Sequence, residues 1–187
     1  MSDNVWFTSD THYYHTRIME FCPDTRRGAD SDEMTELAIQ SWNYKVKPGD
    51  RVYHTGDFCF RSKDHIEQVL KRLNGQIHLV LGNHDKHIAK NDALRAMFAS
   101  VSVEKRVTIG DHQFYLSHAP KAEWVDCHKG VYHLHGHTHG NTKNLEYQQK
   151  FRFMDIGVDA RGDNLMYPFH LDEILEKLKD REIMTHH

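Results

Sequence analysis

Apolar residues in this chain fall into short runs that stop abruptly on polar ones. Val5 to Phe7, Arg51 to Thr55, Gln76 to Leu81, Val131 to His135 and Phe151 to Val158 read as strands. Val101 to Ile109 and His112 to Ser117 flank Gly110-Asp111, which predicts a hairpin. Met34, Leu37, Ala38 and Trp42 recur at helical spacing behind Asp30-Ser31-Asp32-Glu33, a start of capping-box character. Ser62 can cap a helix carrying Ile66, Val69, Leu70 and Leu73, closed by Asn74-Gly75. A further helix is expected over Ile88 to Phe98, and Leu171, Ile174, Leu175 and Leu178 mark the buried stripe of a last one. Strands alternating with helices early, then hairpins, predict a mixed sheet architecture covered by helices.

Composition narrows the class. The 187 residues, without repeat or linker, suit one domain over 1–187. Hydrophobic content of 39% and charged content of 27% fit a soluble globular chain. No apolar run is long enough to span a bilayer, and Met-Ser-Asp-Asn-Val-Trp at the start carries no export signal. Cys22, Cys59 and Cys127 make an odd set without C-x-x-C spacing, which points to a reducing cytoplasm rather than a disulfide framework. A net charge of -3, with Lys and Arg scattered, argues against a dedicated nucleic-acid coat. The 17 histidines hint at metal or acid–base chemistry, yet also make any lone His-x-His cheap. His186-His187 are given no weight.

The chemistry sits where the strands stop. After Val5 to Phe7 come Asp10-Thr11-His12, and after Val52 to His54 come Gly56-Asp57. Leu79 to Leu81 is followed by Gly82-Asn83-His84-Asp85, Phe114 to Leu116 by Ser117-His118, and Val131 to His135 by Gly136-His137-Thr138-His139. In layered α/β folds ligands collect outside the carboxyl ends of strands. Taken singly, Asp10 and Asp57 read as turn residues, Asn83 as a loop residue and His118 as a satisfied histidine. Five strand ends repeating one chemistry outweigh those separate readings. Asp10, His12, Asp57, Asn83, His118, His137 and His139 offer seven donors, more than one ion needs. Carboxylate with imidazole suits Mn, Fe, Co, Ni or Zn better than Ca. A shared carboxylate would give two ions four protein contacts each.

These blocks, D-x-H, G-D, G-N-H-[DE], a lone H and G-H-x-H in that order, resemble the calcineurin-like metallophosphoesterase superfamily over most of the chain. Phe7 to His12 with Leu171-Asp172-Glu173-Ile174 is similar to its small bacterial and phage branch. The resemblance implies an α/β (α+β) fold, a four-layer α-β-β-α sandwich of two mixed sheets flanked by helices, with the metal site at the strand C-terminal ends. It implies one metal on Asp10, His12, Asp57 and His139, and another on Asp57, Asn83, His118 and His137, with Asp57 bridging. His84 would serve the leaving oxygen as the catalytic histidine. The expected activity is hydrolysis of phosphomono- or phosphodiesters, of small or nucleotide-like substrates, by in-line attack of a hydroxide shared by two divalent ions, manganese first among them.

Two departures stand out. Phe60 replaces the aspartate that protein phosphatases carry after G-D, which leaves Asp85 as a possible partner for His84. Tyr14 stands where small-branch relatives often have glycine, and a different loop path follows if that position needs a positive φ. For substrate, Tyr13, Tyr14 and His15 could stack on a base, and Arg26, Arg27, Arg61 and Lys121 could grip phosphate. A packing aromatic or a solvated charge weighs slightly more for each. A DNA or RNA nuclease and a non-catalytic scaffold of the same fold are the rivals. A zinc knot around Cys127 and His128 lacks ligand spacing.

Overall fold

The computed structural model describes residues 4–141 and 149–185. Met1 to Asp3 and His186-His187, read above for export and as terminal histidines, lie outside the described residues. The elements are β1 (Val5–Thr8), α1 (Thr16–Phe21), α2 (Ser31–Lys45), β2 (Arg51–His54), α3 (Lys63–Leu70), β3 (Gln76–Val80), α4 (Lys86–Ala89), α5 (Asp92–Arg95) and β4 (Ser100–Ser102). There follow β5 (Glu104–Ile109), β6 (His112–Ser117), β7 (Tyr132–His135), β8 (Phe153–Asp155), β9 (Phe169–His170) and α6 (Leu171–Leu178). One sheet runs β4-β3-β2-β1-β9 and the other β5-β6-β7-β8. Both are mixed: β9 is antiparallel to β1, and β5 is antiparallel to β6, while the remaining pairs are parallel.

Alternation along the strands decides the layers. Val5, Phe7, Tyr53 and Val80 face the second sheet, where they meet Phe114, Leu116, Tyr132 and Leu134. Trp6, Val52, Ile77 and Leu79 face the other way, onto Met34, Ala38, Trp42, Ile66 and Val69 of the helices. The first sheet is therefore apolar on both faces, as a parallel sheet between two layers must be. Among the described residues, Trp124, Cys127 and Met184 cover the outer face of the second sheet over Tyr115 and Phe153. The result is the expected α-β-β-α sandwich, and α6 closes one side through Ile174 and Leu178. Among the described residues no helix is long and apolar enough to cross a membrane.

Local chemistry explains most boundaries. Asp30 Oδ1 accepts from the N–H groups of Asp32 and Glu33 at 2.9 Å each, a cap worth about 1 kcal/mol. Ser62 precedes α3, but its hydroxyl meets His65 Nδ1 at 2.8 Å and does not cap the backbone. The helix expected over Ile88 to Phe98 is two single turns, because Asn91 Oδ1 accepts from Leu94 N–H at 3.1 Å and starts a second one. The strand expected over Val101 to Ile109 is also two. Ser100–Ser102 pairs with β3 in the first sheet, Glu104–Ile109 with β6 in the second, and exposed Val103 is the crossing. Continuous β-propensity says nothing about which sheet a residue joins.

Candidate metal centre

Parallel pairing of β1, β2 and β3 puts their carboxyl ends side by side, and parallel β6 and β7 do the same in the second sheet. The loops that follow are stitched together. Asp10 N–H donates to Gly56 O at 2.9 Å, His12 N–H to Asp57 O at 3.0 Å, and Gly136 N–H to His118 O at 2.9 Å. His137 N–H donates to Asp10 Oδ2 at 2.9 Å, joining the two sheets at the rim. Two glycines make this approach possible. A Cβ on Gly136 would lie 2.3 Å from Asp10 Oδ2, and one on Gly82 would lie 2.2 Å from Asp57 Oδ1.

All seven candidate residues converge. Asp10, His12 and His139 offer donor atoms within 4.8 Å of one another, and so do Asp10, Asp57 and His118. Asp57 stands between the clusters. Its Oδ2 is 3.6 Å from His12 Nε2 and 3.4 Å from His118 Nε2. Its Oδ1 accepts the backbone N–H of His84 at 2.9 Å, so a single oxygen faces both sides. Around Asn83 Oδ1, His118 Nε2 lies at 2.9 Å and His137 Nδ1 at 3.1 Å, and the two ring nitrogens are 3.2 Å apart. Donors bound about 2.0–2.2 Å from one cation stand roughly 3 Å from each other. The donor set thus fits a metal ion in type and spacing.

Burial gives a second, independent test of that fit. Asp10 is fully buried and His12 is 2% exposed, yet Asp10 Oδ1 and both His12 ring nitrogens have no hydrogen-bond partner. Leaving such groups unsatisfied costs free energy that a cation would recover. Burial pushes the Asp10 carboxyl up to about 7, against the pull of nearby His139. At Asp57 burial also pushes upward, but the hydrogen bond and charge of His118 and the His84 backbone outweigh it and hold the group at about 2. Burial and Arg26 keep His12 well below the usual imidazole range. For His139 burial works downward, and the hydrogen bonds to Asp159 and Cys22 overcome it, raising the ring to about 10.

The backbone is strained where the donors sit. Asp10, His12, Asp57, His137 and His139 have φ of 54°, 46°, 56°, 71° and 48°, a region that costs a non-glycine residue of order 1–3 kcal/mol. Three buried acids outside the donor set hold these loops. Asp85 accepts from the N–H groups of Asp57 at 2.8 Å, Phe58 at 2.9 Å and Gly82 at 2.8 Å. Asp155 accepts from Thr138 Oγ1 at 2.7 Å and from Gly140 N–H at 2.9 Å. Asp159 accepts from His139 Nδ1 at 2.7 Å and from Arg26. Sequence reasoning missed Asp155 and Asp159. The only signal was two acids four apart, Asp155 within the late strand and Asp159 beyond it.

Several expectations about the surroundings change. Asp85 is not a partner of His84, because its oxygens are taken by backbone N–H groups. Tyr14 does not divert its loop: it adopts φ 63° itself, its N–H donating to Thr35 Oγ1 at 2.7 Å and its ring lying beside His65 and under Arg61. Tyr13 is 1% exposed and cannot stack on a substrate. Arg26 is buried and cannot grip one, Arg61 forms a fork with Asp32, and Lys121 pairs with Glu104 at 2.7 Å. His15 does stack, on Phe60, at 3.6 Å and 7°. Phe60 in turn lies 4.6 Å from the ring of His84, an exposed imidazole whose Nε2 is 4.0 Å from Asp57 Oδ2. Cys127 is buried against Trp124 and Val131 and belongs to none of the groups able to hold a metal among the described residues.

Comparison with known proteins follows the same architecture. A solved structure from Aquifex aeolicus, the protein AQ665 of unknown function, aligns with a TM-score of 0.73 at 25% identity, over 93% of this chain and 98% of that one. The gene 66 protein of Mycobacterium phage D29 is 30% identical over 205 aligned positions, covering 96% of this chain and 98% of the phage protein. The uncharacterized protein MJ1445 of Methanocaldococcus jannaschii is 30% identical over 140 positions, 73% of this chain and 70% of its own. The chain belongs to the family that includes this phage gene 66 protein. No protein-family model matches it. A solved archaeal phosphodiesterase aligns more loosely, with a TM-score of 0.49 and 22% identity over 82% of each chain.

Proposed function

We propose that the chain is a metal-dependent phosphoric ester hydrolase of the calcineurin-like metallophosphoesterase type, acting on phosphomono- or phosphodiesters of small or nucleotide-like molecules. The observation that carries this reading is Asp57 Oδ2 standing 3.6 Å from His12 Nε2 and 3.4 Å from His118 Nε2, between two clusters of donors. Asp10, His12, Asp57 and His139 would hold one divalent ion, and Asp57, Asn83, His118 and His137 the other. When bound, such a pair supplies a polarised water and charge neutralisation for a phosphoryl group.

The residues supply the rest. Asp10 and Asp57 are the only carboxylates among seven donors, so two divalent cations would be only partly neutralised and would favour an anionic ester. Asn83 contributes a neutral oxygen and preserves that excess. His84 is exposed, with Nε2 4.0 Å from Asp57 Oδ2, which supports it as the group that hands a proton to the leaving oxygen. Phe60, backed by His15, offers an aromatic surface beside it, which supports a leaving group with a planar ring. The nuclease reading wants a basic track, whereas the neighbouring cations Arg26, Arg61, Arg72 and Lys121 are each matched to an acid. A cytoplasmic setting belongs to this proposal and rests on the sequence.

The test is a panel of phosphomono- and diesters, cyclic nucleotides and short oligonucleotides, assayed with Mn, Co or Ni. Turnover of small esters or nucleotides is expected. No hydrolysis of any ester by protein shown to hold metal would overturn the proposal in favour of a scaffold role.

A further inference from the structure

Arg26 lies at the centre of a buried network that the chemistry above does not use. Its side chain is fully buried. Nη1–H donates to Thr11 O at 2.8 Å and Nη2–H to Asp10 O at 2.5 Å. The same guanidinium forms a fork with Asp159, Nε–H to Oδ1 at 2.9 Å and Nη2–H to Oδ2 at 2.7 Å. Asp159 Oδ2 also receives His139 Nδ1 at 2.7 Å, and the Thr25 hydroxyl donates to Oδ1. A continuous path of charge-assisted hydrogen bonds therefore runs from the carbonyls of Asp10 and Thr11 to the ring of His139.

A carboxylate can only accept, so the nitrogen of His139 that faces Asp159 carries the proton. In the neutral ring that a cation requires, that leaves Nε2 as the atom with a lone pair to offer beside Asp10 and His12. A carboxylate behind a ligating imidazole fixes its tautomer and orientation, and losing it typically costs 10–100-fold in metal affinity. Two other roles for the pair fail on the geometry. Cys22, His139 and Asp159 are close enough to form a separate cation site, but both oxygens of Asp159 are already committed to Arg26. Arg26 reaches no substrate, because its nitrogens end on Asp159 and on two backbone carbonyls.

We infer that Arg26 and Asp159 are a positioning couple for one half of the centre, the half built from Asp10, His12 and His139, and that they set how tightly that half holds its ion while leaving the Asn83, His118 and His137 half alone. This rests on the two-ion reading. Isothermal titration of the metal-stripped chain with Mn²⁺ tests it, using wild type, Asp159→Asn and the milder Arg26→Lys, with melting of each metal-free chain measured alongside. Wild type is expected to bind two equivalents. Asp159→Asn should weaken one of them by about 10–100-fold and leave the other within about twofold. Arg26→Lys should weaken the same equivalent, and the double variant should be no worse than Asp159→Asn, since the residues act as one unit. Two equivalents held as tightly as in wild type by both variants would overturn the inference. Equal weakening of both ions in step with a lower metal-free melting temperature would reduce the couple to a structural brace and overturn it too. Wild-type protein that takes up no ion would bring down the two-ion reading itself, a result that no variant can mimic.

Discussion

The two halves of the centre are built on opposite principles. Asp10 and His12 are almost wholly buried, and Asp10 Oδ1 and both His12 ring nitrogens lack partners. Asn83 and His137 are exposed, and with His118 they already contact one another at 2.9–3.2 Å. A hollow of about 320 Å³ opens beside this second half, against Leu81, Ala119 and Lys121. The first half is under electrostatic debt until a cation arrives, whereas the second is satisfied without one and opens toward solvent. Burial thus assigns one proposed ion a share in stability and the other easier exchange.

Asp57→Ala is the harshest way to break the comparison, since its Oδ2 lies 3.6 Å from His12 Nε2 on one side and 3.4 Å from His118 Nε2 on the other. Metal analysis should fall from two equivalents to none, and one retained equivalent would show that the halves are independent. Next comes His84→Ala, which touches neither half as a donor. It should keep both ions while turnover of an ester with a poor leaving group drops roughly 10²–10⁴-fold. Unchanged turnover would remove His84 from the reaction.

Asp10→Asn and Asn83→Ala sharpen the contrast. In the presence of chelator Asp10→Asn relieves a buried, unsatisfied carboxylate and should stabilise the chain by about 1–3 kcal/mol at pH 7 in urea melts. Asn83→Ala, at an exposed position, should change metal-free stability by less than about 0.5 kcal/mol. Equal effects of the two would erase the distinction drawn from burial.

A last test serves as a control away from both halves. His133 is buried, its Nε2 accepting the Lys121 N–H at 3.1 Å, and burial lowers the ring to about 3. Below the ordinary value near 6.5 the unfolded chain takes up a proton that the folded chain refuses. Stability is therefore lost as pH falls from about 6.5 toward 3, at up to about 1.4 kcal/mol per unit, and no slope from this ring is expected above 6.5. His133→Gln should flatten that slope in urea melts at pH 7 and pH 5. An identical slope in the variant would contradict the neutral buried ring.

The candidate donors were legible in the sequence because each follows a predicted strand by a few residues, and runs of β-forming residues mark where the strands stop. Asp57 and Asn83 stand out beside Gly56 and Gly82 for that reason. What holds the donors was not legible. Arg26 meets Asp159 across 133 positions, and no local pattern distinguishes it from exposed Arg27 beside it. Phe60 reads as a missing aspartate until its stacking on His15 is seen. The division of Val101 to Ile109 between sheets was hidden because both partners offer β-strand edges, and only long-range pairing chooses between them.

The bond from His137 N–H to Asp10 Oδ2 closes a loop of 127 residues, and it ties a donor from one sheet to a donor from the other. Closing so long a loop is entropically costly, and neither sheet alone carries a complete set of donors. Assembly of the pocket is then expected late in folding, after the sandwich has docked. Capture of an ion at the rim would act mainly as a latch on unfolding and do little to hasten folding, so chelation should show itself first in how fast the protein comes apart.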